Sequence, residues 1–463
     1  MFKTLKNAWK VQDIQNKILF TLLIILLYRL GSAIPVPFVN SEIMTFNNLY
    51  GSTILGYLSM LSGSAMAQAT FFALSVSPYI TSSIVIQLLT VAFPNSLGKL
   101  AKEGEEGQKK IKKYTRWVTI AIALITAYGY TALLGNGHNG VSWLNTEYIQ
   151  WSGMWASWEF NGFAGTLYTL VIIASYVAGA CIIMWLAELI DAKGIGNGIS
   201  MILFFNIVSG GPQLVTDLWN MITLNPEEKG GLAVGILLGV ISVIVSILMV
   251  LLIVWVTNSE RRIPIQYAKR VVGRKMYGGQ GTHLPIKLNM TGVMPVIFAS
   301  SIVSVPATIA MFFQGSGFAD WVAEWFGPTS PIYIVIYLLL IVAFAYFYIL
   351  ISFNPLEVAN NIKNNGGSVP GIRTGRPTAE YITKILNRIT LIGAFFLIIV
   401  AGLPMVINAV NAAQVEADAA TAIQFKGLAF GGTSLLIVIG VAIETFRDIE
   451  AQITMRNYKG FLD

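Results

Sequence analysis

The sequence predicts an all-α polytopic membrane protein with ten transmembrane helices, and three observations support this fold class. Of the 463 residues, 55% are hydrophobic and only 11% are charged, whereas about 25% of the residues in a soluble domain are charged. Uncharged runs recur along the whole chain, and many reach the roughly 20 residues that a span requires. The basic residues cluster in alternate connecting segments, as the positive-inside rule requires. A compact soluble fold is therefore excluded.

The uncharged runs predict nine of the ten spans directly. The first run is interrupted only by Arg29, and the last is short. In chain order, the nine runs are 18–38, 117–146, 160–187, 194–216, 230–259, 288–319, 326–356, 389–415 and 427–443.

The tenth span is predicted within an unusual stretch, 43–98, that contains 56 residues without a charge. Its length allows two spans, but it lies between two basic segments, 3–17 and 99–116. If both segments are cytoplasmic, an even number of crossings separates them. The stretch then holds one span and a segment that enters the membrane without crossing it.

This topology places both termini in the cytoplasm. Of the 30 basic residues, 27 then lie on the inner side and two on the outer side, with Arg29 inside the first span. The net charge becomes +14 on the inner side and −8 on the outer side. Such an asymmetry is typical of a correctly assigned topology.

The ten spans divide into two five-helix halves, which must be inverted because five crossings reverse the direction of the chain. The triplets Pro78-Tyr79-Ile80 and Pro295-Val296-Ile297 lie in equivalent spans and support this repeat. The predicted parts are a cytoplasmic amphipathic N-terminus at 1–17, a first half at 18–216, a second half at 217–447 and a cytoplasmic C-terminal tail at 448–463.

The segment 55–68 is too short to span and is rich in Gly, Ser and Ala. Backbone at membrane depth is tolerated without crossing when it is buried in protein or lines a water-filled cavity. We therefore predict a small re-entrant helix in a cavity open to the outer side. An interfacial helix on the outer leaflet is the alternative.

The chemistry of an enzyme is not apparent in this sequence. Cys181 is the only cysteine, and His138 and His283 lie in separate loops, which excludes a disulfide framework and an imidazole metal site. We found no hydrolase, metalloprotease or nucleotide-binding motif, so we expect no catalytic residue, metal or cofactor. The glycine-rich segment 194–198 follows a membrane helix rather than a strand, which favours a structural role.

Two rival functions remain open at this point. An ion-coupled secondary transporter with inverted repeats requires an ionisable pair at mid-membrane depth. An intramembrane enzyme or a lipid flippase is the second rival, and an enzyme requires a nucleophile–base or metal constellation. Arg29 is the only charge clearly inside a span, and we expect it to bond to carbonyl or head groups.

Two long loops on the predicted inner side, 257–287 and 354–388, contain seven and five basic residues. Loops of about 30 residues exceed what joining two helices requires, and long ordered loops are usually functional. Their basic tips suit an acidic partner, either protein or RNA.

Six motifs in chain order resemble the SecY family, whose members are the channel subunits of the bacterial protein-secretion translocon. They are RLGSAIPVP at 29–37, SPYITSSIVIQLL at 77–89, GIGNGIS at 194–200, THLPIKLNMTGVMPVIFASS at 282–301, NPLE…PGIR at 354–373 and FGGTSLLI at 430–437. The resemblance implies a multi-pass protein of the bacterial plasma membrane whose ten helices surround a central pore. It implies passage of unfolded secretory proteins and lateral release of signal sequences and transmembrane segments into lipid.

The same resemblance implies partners and site residues. The partners are the small membrane subunits SecE and SecG, the SecA motor ATPase, the ribosome with its nascent chain, secretory preproteins with their signal peptides, and anionic lipids. The re-entrant segment would be a plug that includes Leu55, Leu58, Leu61, Ser62, Gly63, Ala65 and Met66. The pore would narrow at an aliphatic ring of Val76, Ile80, Ile199, Leu203, Ile297 and Ile437. Valine and leucine replace the family's preferred isoleucine at two of these positions, which preserves the apolar character.

The resemblance further assigns a lateral gate and docking positions. The gate residues on the second and seventh spans are Thr81, Ser82, Ser83, Gln87, Ser300 and Ser301. We expect interhelical hydrogen bonds across this seam, worth only about 0.6 kcal/mol each, which would leave it reversible. The docking positions for the motor or the ribosome are Arg270, Arg274, Lys275 and Arg373.

Overall fold

The structure is a computed structural model, and most of the residues that it describes are helical. The described residues are 9, 11–39, 62–63, 65–66, 68–95, 97–136, 144, 163–212, 215–216, 219, 232–267, 270–272, 275–277, 282–313, 316–327, 329–417 and 432–459. The helices of the first half are α1 (Gln12–Gly31), α2 (Ser77–Ala92), α3 (Leu97–Lys102), α4 (Glu105–Asn136), α5 (Phe163–Lys193) and α6 (Gly198–Ser209).

The second half contains further helices and short strands. The helices are α7 (Leu232–Asn258), α8 (Met294–Val303), α9 (Val305–Ala310), α10 (Gly317–Trp325), α11 (Pro331–Ser352), α12 (Pro355–Asn364), α13 (Arg376–Ala417) and α14 (Gly432–Lys459), with a 3₁₀ turn at Met311–Phe313. The strands are β1 (Glu260–Tyr267), β2 (Arg270–Val272), β3 (Lys275–Tyr277), β4 (Thr282–Lys287) and β5 (Gly367–Ser368).

Side chains of the expected types begin several of these helices. The Asn197 side chain accepts from the Ser200 N–H at the start of α6 at 3.2 Å. The Ser330 hydroxyl accepts from the Tyr333 N–H at the start of α11 at 3.3 Å. Such N-caps satisfy backbone donors that have no partner within the helix.

Each of the ten predicted spans contains at least one described helix, which confirms the ten-span α fold. By length and composition, six of the helices in the described part of the chain could cross a membrane. Shorter apolar helices occupy three other spans, at Ser77–Ala92, Gly198–Ser209 and Met294–Ala310. The tenth span contains the start of α14, which continues past the predicted boundary at residue 448.

The predicted span 288–319 is broken into α8, α9 and a 3₁₀ turn. Pro306 explains the break, because proline has no N–H to donate to the carbonyl four residues earlier. A second difference lies at the N-terminus. Of the predicted segment 1–17, the structure describes Trp9 and residues 11–17, and residues 12–17 already belong to α1.

The helix ends that we assigned to the inner side gather at one end of the molecule. The Lys17 ammonium, near the start of α1, donates to the Gln452 amide oxygen of α14 at 3.0 Å. Arg116 forms two hydrogen bonds with the Glu188 carboxylate, 2.7 and 2.8 Å long, which join α4 to the end of α5. This grouping agrees with the topology that the charge distribution predicts.

The chain that leaves α1 is hydrogen-bonded to the chain that enters α2. The Val36 N–H donates to the Ala69 carbonyl at 3.2 Å, and the Phe71 N–H donates to the Ile34 carbonyl at 2.9 Å. The intervening segment 37–68 has 32 residues, whereas two crossings would require about 40. The two described ends of this segment therefore lie side by side, as a segment with an even number of crossings requires, and residues 40–61 lie outside the described part of the chain.

The two loops on the inner side form one folded unit, which we call the platform (residues 260–287 and 354–388). Strand β1 pairs antiparallel with β4 of its own loop and with β5 of the other, in the order β4-β1-β5. Beneath the strands lies a separate hydrophobic cluster that includes Ile263, Ile286, Ile362 and Ile382. The purely helical expectation missed this sheet, although β1 alternates exposed and buried residues as a strand does.

Replacing Ile382 with alanine tests the platform core. Ile382 is completely buried, so the loss of its side chain should destabilise the platform by about 2–4 kcal/mol. We expect faster cleavage of the platform by trypsin in limited proteolysis, while the membrane helices stay intact. Asn387→Ala is the control because Asn387 is exposed on the same helix and is not a trypsin site. Equal cleavage rates in both variants would contradict the assigned core.

Candidate functional site

A cavity of about 80 Å³ lies at the centre of the helical bundle. Residues from both five-helix halves line it, together with residues of the predicted plug. The lining includes Ser62, Met66, Ser75, Pro78, Ile80, Tyr130, Leu203, Ile297, Ser300, Ser301, Thr308 and Ile437. Four of the six predicted ring residues therefore meet two plug residues and two gate residues in one space.

The six predicted ring residues belong to one apolar cluster. Five of them are buried within it, and the sixth, Ile199, is half-buried and packs against it. The buried members are Val76, Ile80, Leu203, Ile297 and Ile437. They come from α2, α6, α8 and α14 and from the residue before α2, so distant parts of the sequence converge in one cluster.

The two helices that contribute isoleucine from equivalent spans begin in the same way. Helices α2 and α8 each have proline in the first turn and a preceding valine in the right-handed helical region. The Ile80 N–H donates to the Val76 carbonyl, and the Ile297 N–H donates to the Val293 carbonyl. Ile80 and Ile297 are each the fourth residue of their helix, so the faint repeat in the sequence has a local structural counterpart.

The turn that leads into α2 has an unusual backbone conformation. Ala69 and Ser75 have φ angles of 47° and 51°, a left-handed conformation that costs a residue with a side chain roughly 1–2 kcal/mol. The Ser75 hydroxyl accepts from the Asn206 amide at 3.3 Å, and the same amide group donates to the Tyr28 hydroxyl at 2.9 Å. Contacts from α1 and α6 therefore stabilise the turn that presents Val76 to the ring.

The described plug residues pack against three elements of the first half. Ser62 and Ala65 are almost completely buried, and the Ser62 hydroxyl accepts from the Met66 N–H at 3.1 Å. The Tyr130 hydroxyl of α4 donates to the Met66 carbonyl at 2.5 Å. A Cβ atom at Gly63 would lie 3.2 Å from the Arg29 guanidinium and 3.2 Å from the backbone of α6. The plug residues Leu55, Leu58 and Leu61 lie outside the described residues.

Arg29 is bonded to the backbone, as the sequence predicts. Its guanidinium donates to the Phe205 carbonyl at 3.0 Å. The contact joins α1 to α6 close to Gly63, so the charge inside the first span has a structural partner within the protein.

Hydroxyl groups on α2 and α8 do not form the hydrogen bonds that we expected across the gate. Thr81 donates to the Ser77 carbonyl, and Ser300 and Ser301 both donate to the Ile297 carbonyl of their own helix. Serine and threonine in helices readily bond to carbonyls three or four residues earlier. Within the described part of the chain, the expectation of interhelical bonds across this seam is therefore wrong.

Ser82 faces a different neighbour from the one that the gate assignment requires. It is completely buried, and its hydroxyl lies 2.5 Å from the Thr119 hydroxyl of α4. Gln87, a turn later, donates to the Ser83 hydroxyl within α2 at 3.3 Å. Ser82 thus belongs to the contact between α2 and α4, whereas Ser300 and Ser301 line the cavity.

The predicted docking positions that the structure describes, Arg270, Lys275 and Arg373, lie on the platform. Arg373 is exposed, and its carbonyl accepts from the Thr378 hydroxyl at 2.8 Å, which fixes its turn. Arg270 begins β2 and Lys275 begins β3 of an antiparallel hairpin, and Arg274 lies outside the described residues. Burial lowers the pKa of Lys287 in β4, and the nearby Arg447 guanidinium lowers it further.

Sequence reasoning missed the polar side chains that position the ring and plug, namely Tyr28, Asn206 and Tyr130. Each is buried inside a span, where burying a polar group is costly unless it is hydrogen-bonded. An asparagine in an otherwise apolar span is the signal that could have identified Asn206. The described residues contain no His, Cys, Asp or Glu cluster able to hold a metal ion, and His138 lies outside them.

Comparison with known proteins places this architecture in a family. The family model SecY matches residues 70–446. Protein translocase subunit SecY from Streptomyces scabiei is 41% identical over 468 residues, and its counterpart from Bacillus subtilis strain 168 is 37% identical over 466 residues; each match covers 100% of both chains. The chain belongs to the SecY family. It is therefore a protein translocase subunit.

Solved structures share the fold of this SecY family member at low sequence identity. The structure described as that of a protein conducting channel has a TM-score of 0.59 and 17% identity, and the match covers 94% of this chain and 92% of that one. Sec61 in the canine ribosome-channel complex from the endoplasmic reticulum has a TM-score of 0.55 and 16% identity, with the same coverage. The fold is thus that of the protein-conducting channels.

Removing the Tyr130 hydroxyl tests the contact between α4 and the plug segment. Tyr130→Phe leaves the buried Met66 carbonyl without this donor, at a cost of about 1–3 kcal/mol. We expect faster amide hydrogen exchange in residues 62–70. Tyr346→Phe serves as the control, because that hydroxyl bonds to the Asn387 carbonyl elsewhere in the chain. Unchanged exchange in Tyr130→Phe would show that the contact does not hold the segment.

Proposed function

We propose that this translocase subunit is the central protein-conducting channel, passing unfolded secretory proteins through the cavity that its two halves enclose. One observation supports this proposal above all others: aliphatic ring residues from both halves and the described plug residues line the same cavity. The plug segment lies between α1 and α2 in the sequence, and the backbone after α1 is hydrogen-bonded to the backbone before α2. It is therefore positioned to block a path along the axis of the bundle.

The ring supplies a seal that does not select among passing sequences. An apolar constriction excludes ions by dewetting when it is empty. Val76, Ile80, Ile199, Leu203, Ile297 and Ile437 offer no side-chain hydrogen-bonding group to a passing chain. A polypeptide of arbitrary sequence can then move through, while the resting channel leaks little.

The lateral gate is the seam between α2 and α8. Ser300 and Ser301 line the cavity at this seam, and their hydroxyls are bonded within α8. Separation of the helices would break none of these hydrogen bonds. A signal sequence or a transmembrane segment could therefore open the seam by burying its own apolar surface and pass into lipid.

The platform is the docking surface for the partner that drives transport. Arg373, together with Arg270, Arg274 and Lys275, would bind the acidic surface of the SecA motor or the RNA of a translating ribosome. We infer that SecE and SecG cover part of the apolar exterior and that anionic lipids contact the inner basic residues. The subunit itself is not an enzyme in this proposal, so the energy for transport comes from the motor or from chain synthesis.

The charge distribution supports a location in the bacterial plasma membrane with both termini in the cytoplasm. On this orientation the platform faces the cytoplasm, where a motor or a ribosome acts, and the plug faces the outer side. The positive-inside rule provides the physical basis for the assignment.

Polar substitution of the ring tests the seal. Replacing Ile80 and Ile297 with serine should hydrate the constriction, because each substitution removes about 2 kcal/mol of apolar transfer free energy. We expect the resting ion leak of reconstituted vesicles to rise by about tenfold or more. Leu339→Ser is the matched control, because Leu339 is exposed on the outside of α11. Resting impermeability in the double variant equal to that of the control would contradict the ring.

Charge reversal at Arg373 tests the docking role. Arg373→Glu should abolish motor-driven export into vesicles without changing the melting temperature, because the side chain is exposed and only the backbone fixes the turn. Lys384→Glu makes the same charge change at another exposed position of the platform and should preserve export. Normal export by the Arg373 variant would count against docking at this turn.

A further inference from the structure

The connection between α5 and α6 is a glycine-rich loop, residues 194–198, whose backbone donors are bonded to side chains of this chain. The Ile195 N–H donates to the Thr21 hydroxyl of α1 at 3.1 Å. The Gly196 N–H donates to the Asp448 carboxylate of α14 at 3.1 Å. Three separate parts of the sequence therefore meet at two consecutive amides.

The end of the same loop is bonded to a second carboxylate. The Gly198 N–H donates to Asp191 of α5 at 2.7 Å. Because carboxylates already occupy Gly196 and Gly198, the loop is not available to a phosphate group, although its composition resembles that of a phosphate-binding loop. The carboxylates fix the position of the loop instead.

Asp448 belongs to a polar chain that crosses from α14 to α1. The Gln452 amide donates to the Asp448 carboxylate at 3.2 Å, and Lys17 donates to the Gln452 oxygen at 3.0 Å. An apolar contact supports the same junction, because Ile14, Ile195 and Ile449 form one buried cluster. Helices α1 and α14 therefore both contact the loop.

The loop also approaches α14 closely. Gly196 has a φ of +75°, and a Cβ atom there would lie 3.2 Å from the Thr445 hydroxyl oxygen. Thr445 also lies 3.5 Å from the sulfur of Met201 in α6. Any displacement of α14 along its axis is therefore transmitted to the start of α6.

Helix α6 begins at Gly198, and two ring residues, Ile199 and Leu203, lie in its first two turns. Because α6 is one continuous hydrogen-bonded helix, a shift of the loop along the helix axis would move both side chains together. We propose that Asp448 is a positioning residue for the ring. Its carboxylate bonds α14 to the loop that precedes α6, and this contact fixes the position of α6 along its axis. This inference rests on the proposed function of the ring.

The test compares two replacements of Asp448 in the full-length chain, reconstituted with its partner subunits in lipid vesicles. Asp448→Ala removes the acceptor and should raise the resting ion leak about tenfold, the factor that a hydrogen bond to a charged group typically contributes to an equilibrium. Asp448→Asn retains an oxygen that can accept from the Gly196 N–H and should restore a leak close to that of the wild type. Glu450→Ala is the control, because Glu450 is exposed two residues later on the same helix.

Two further readouts separate positioning from folding and from channel function. The melting temperatures of all four proteins should agree, and the wild type should translocate a preprotein when the motor and ATP are added. A wild-type leak in Asp448→Ala, an Asn variant as leaky as the Ala variant, or a leak that rises only with a lowered melting temperature would overturn the positioning role. Wild-type vesicles that fail to translocate would instead overturn the channel function on which it rests.

Discussion

Two backbone hydrogen bonds between 34–36 and 69–71 determine much of this architecture. They bring the end of α1 next to the chain that enters α2. Backbone at membrane depth that does not cross must be covered by protein or line a cavity, and Ser62, Ala65 and Met66 of this segment are buried. The same stretch of chain then forms the turn at Ser75, which leads directly into Val76 and Ile80. The described plug residues and the ring residues of the α2 segment therefore both lie close to this pairing.

Polar and apolar side chains are separated within the bundle interior. Tyr28, Ser75 and Asn206 form a hydrogen-bonded group beside the ring, whereas the ring itself is aliphatic. The polar group stabilises an unfavourable backbone turn, and the apolar group leaves the constriction without hydrogen-bonding partners. This division allows a rigid frame to surround a seal that binds no particular substrate sequence.

The sequence was sufficient to predict what depends on charge and hydrophobicity. The ten spans followed from charge parity and apolar length, and the bonding of Arg29 to a carbonyl followed from its position inside a span. Hydroxyl partners could not be predicted, because a serine such as Ser82 or Ser300 can bond to its own helix or to another with similar energy. The platform sheet was missed for a related reason: β1 and β5 lie in different loops, and their pairing depends on tertiary contacts. The roles of the ring residues came from family resemblance, since one buried isoleucine looks like any other.

The most direct measurement places a photo-crosslinking amino acid at Ile297 and arrests a secretory chain during its passage. The central claim is that the chain moves through the cavity lined by Ile297 and Ile80. Crosslinks from Ile297 to the arrested chain are expected, with little labelling from the same probe at Leu339, which is exposed on the outside of α11. Labelling at Leu339 but not at Ile297, or no labelling at Ile297 while translocation proceeds, would contradict a path through this cavity.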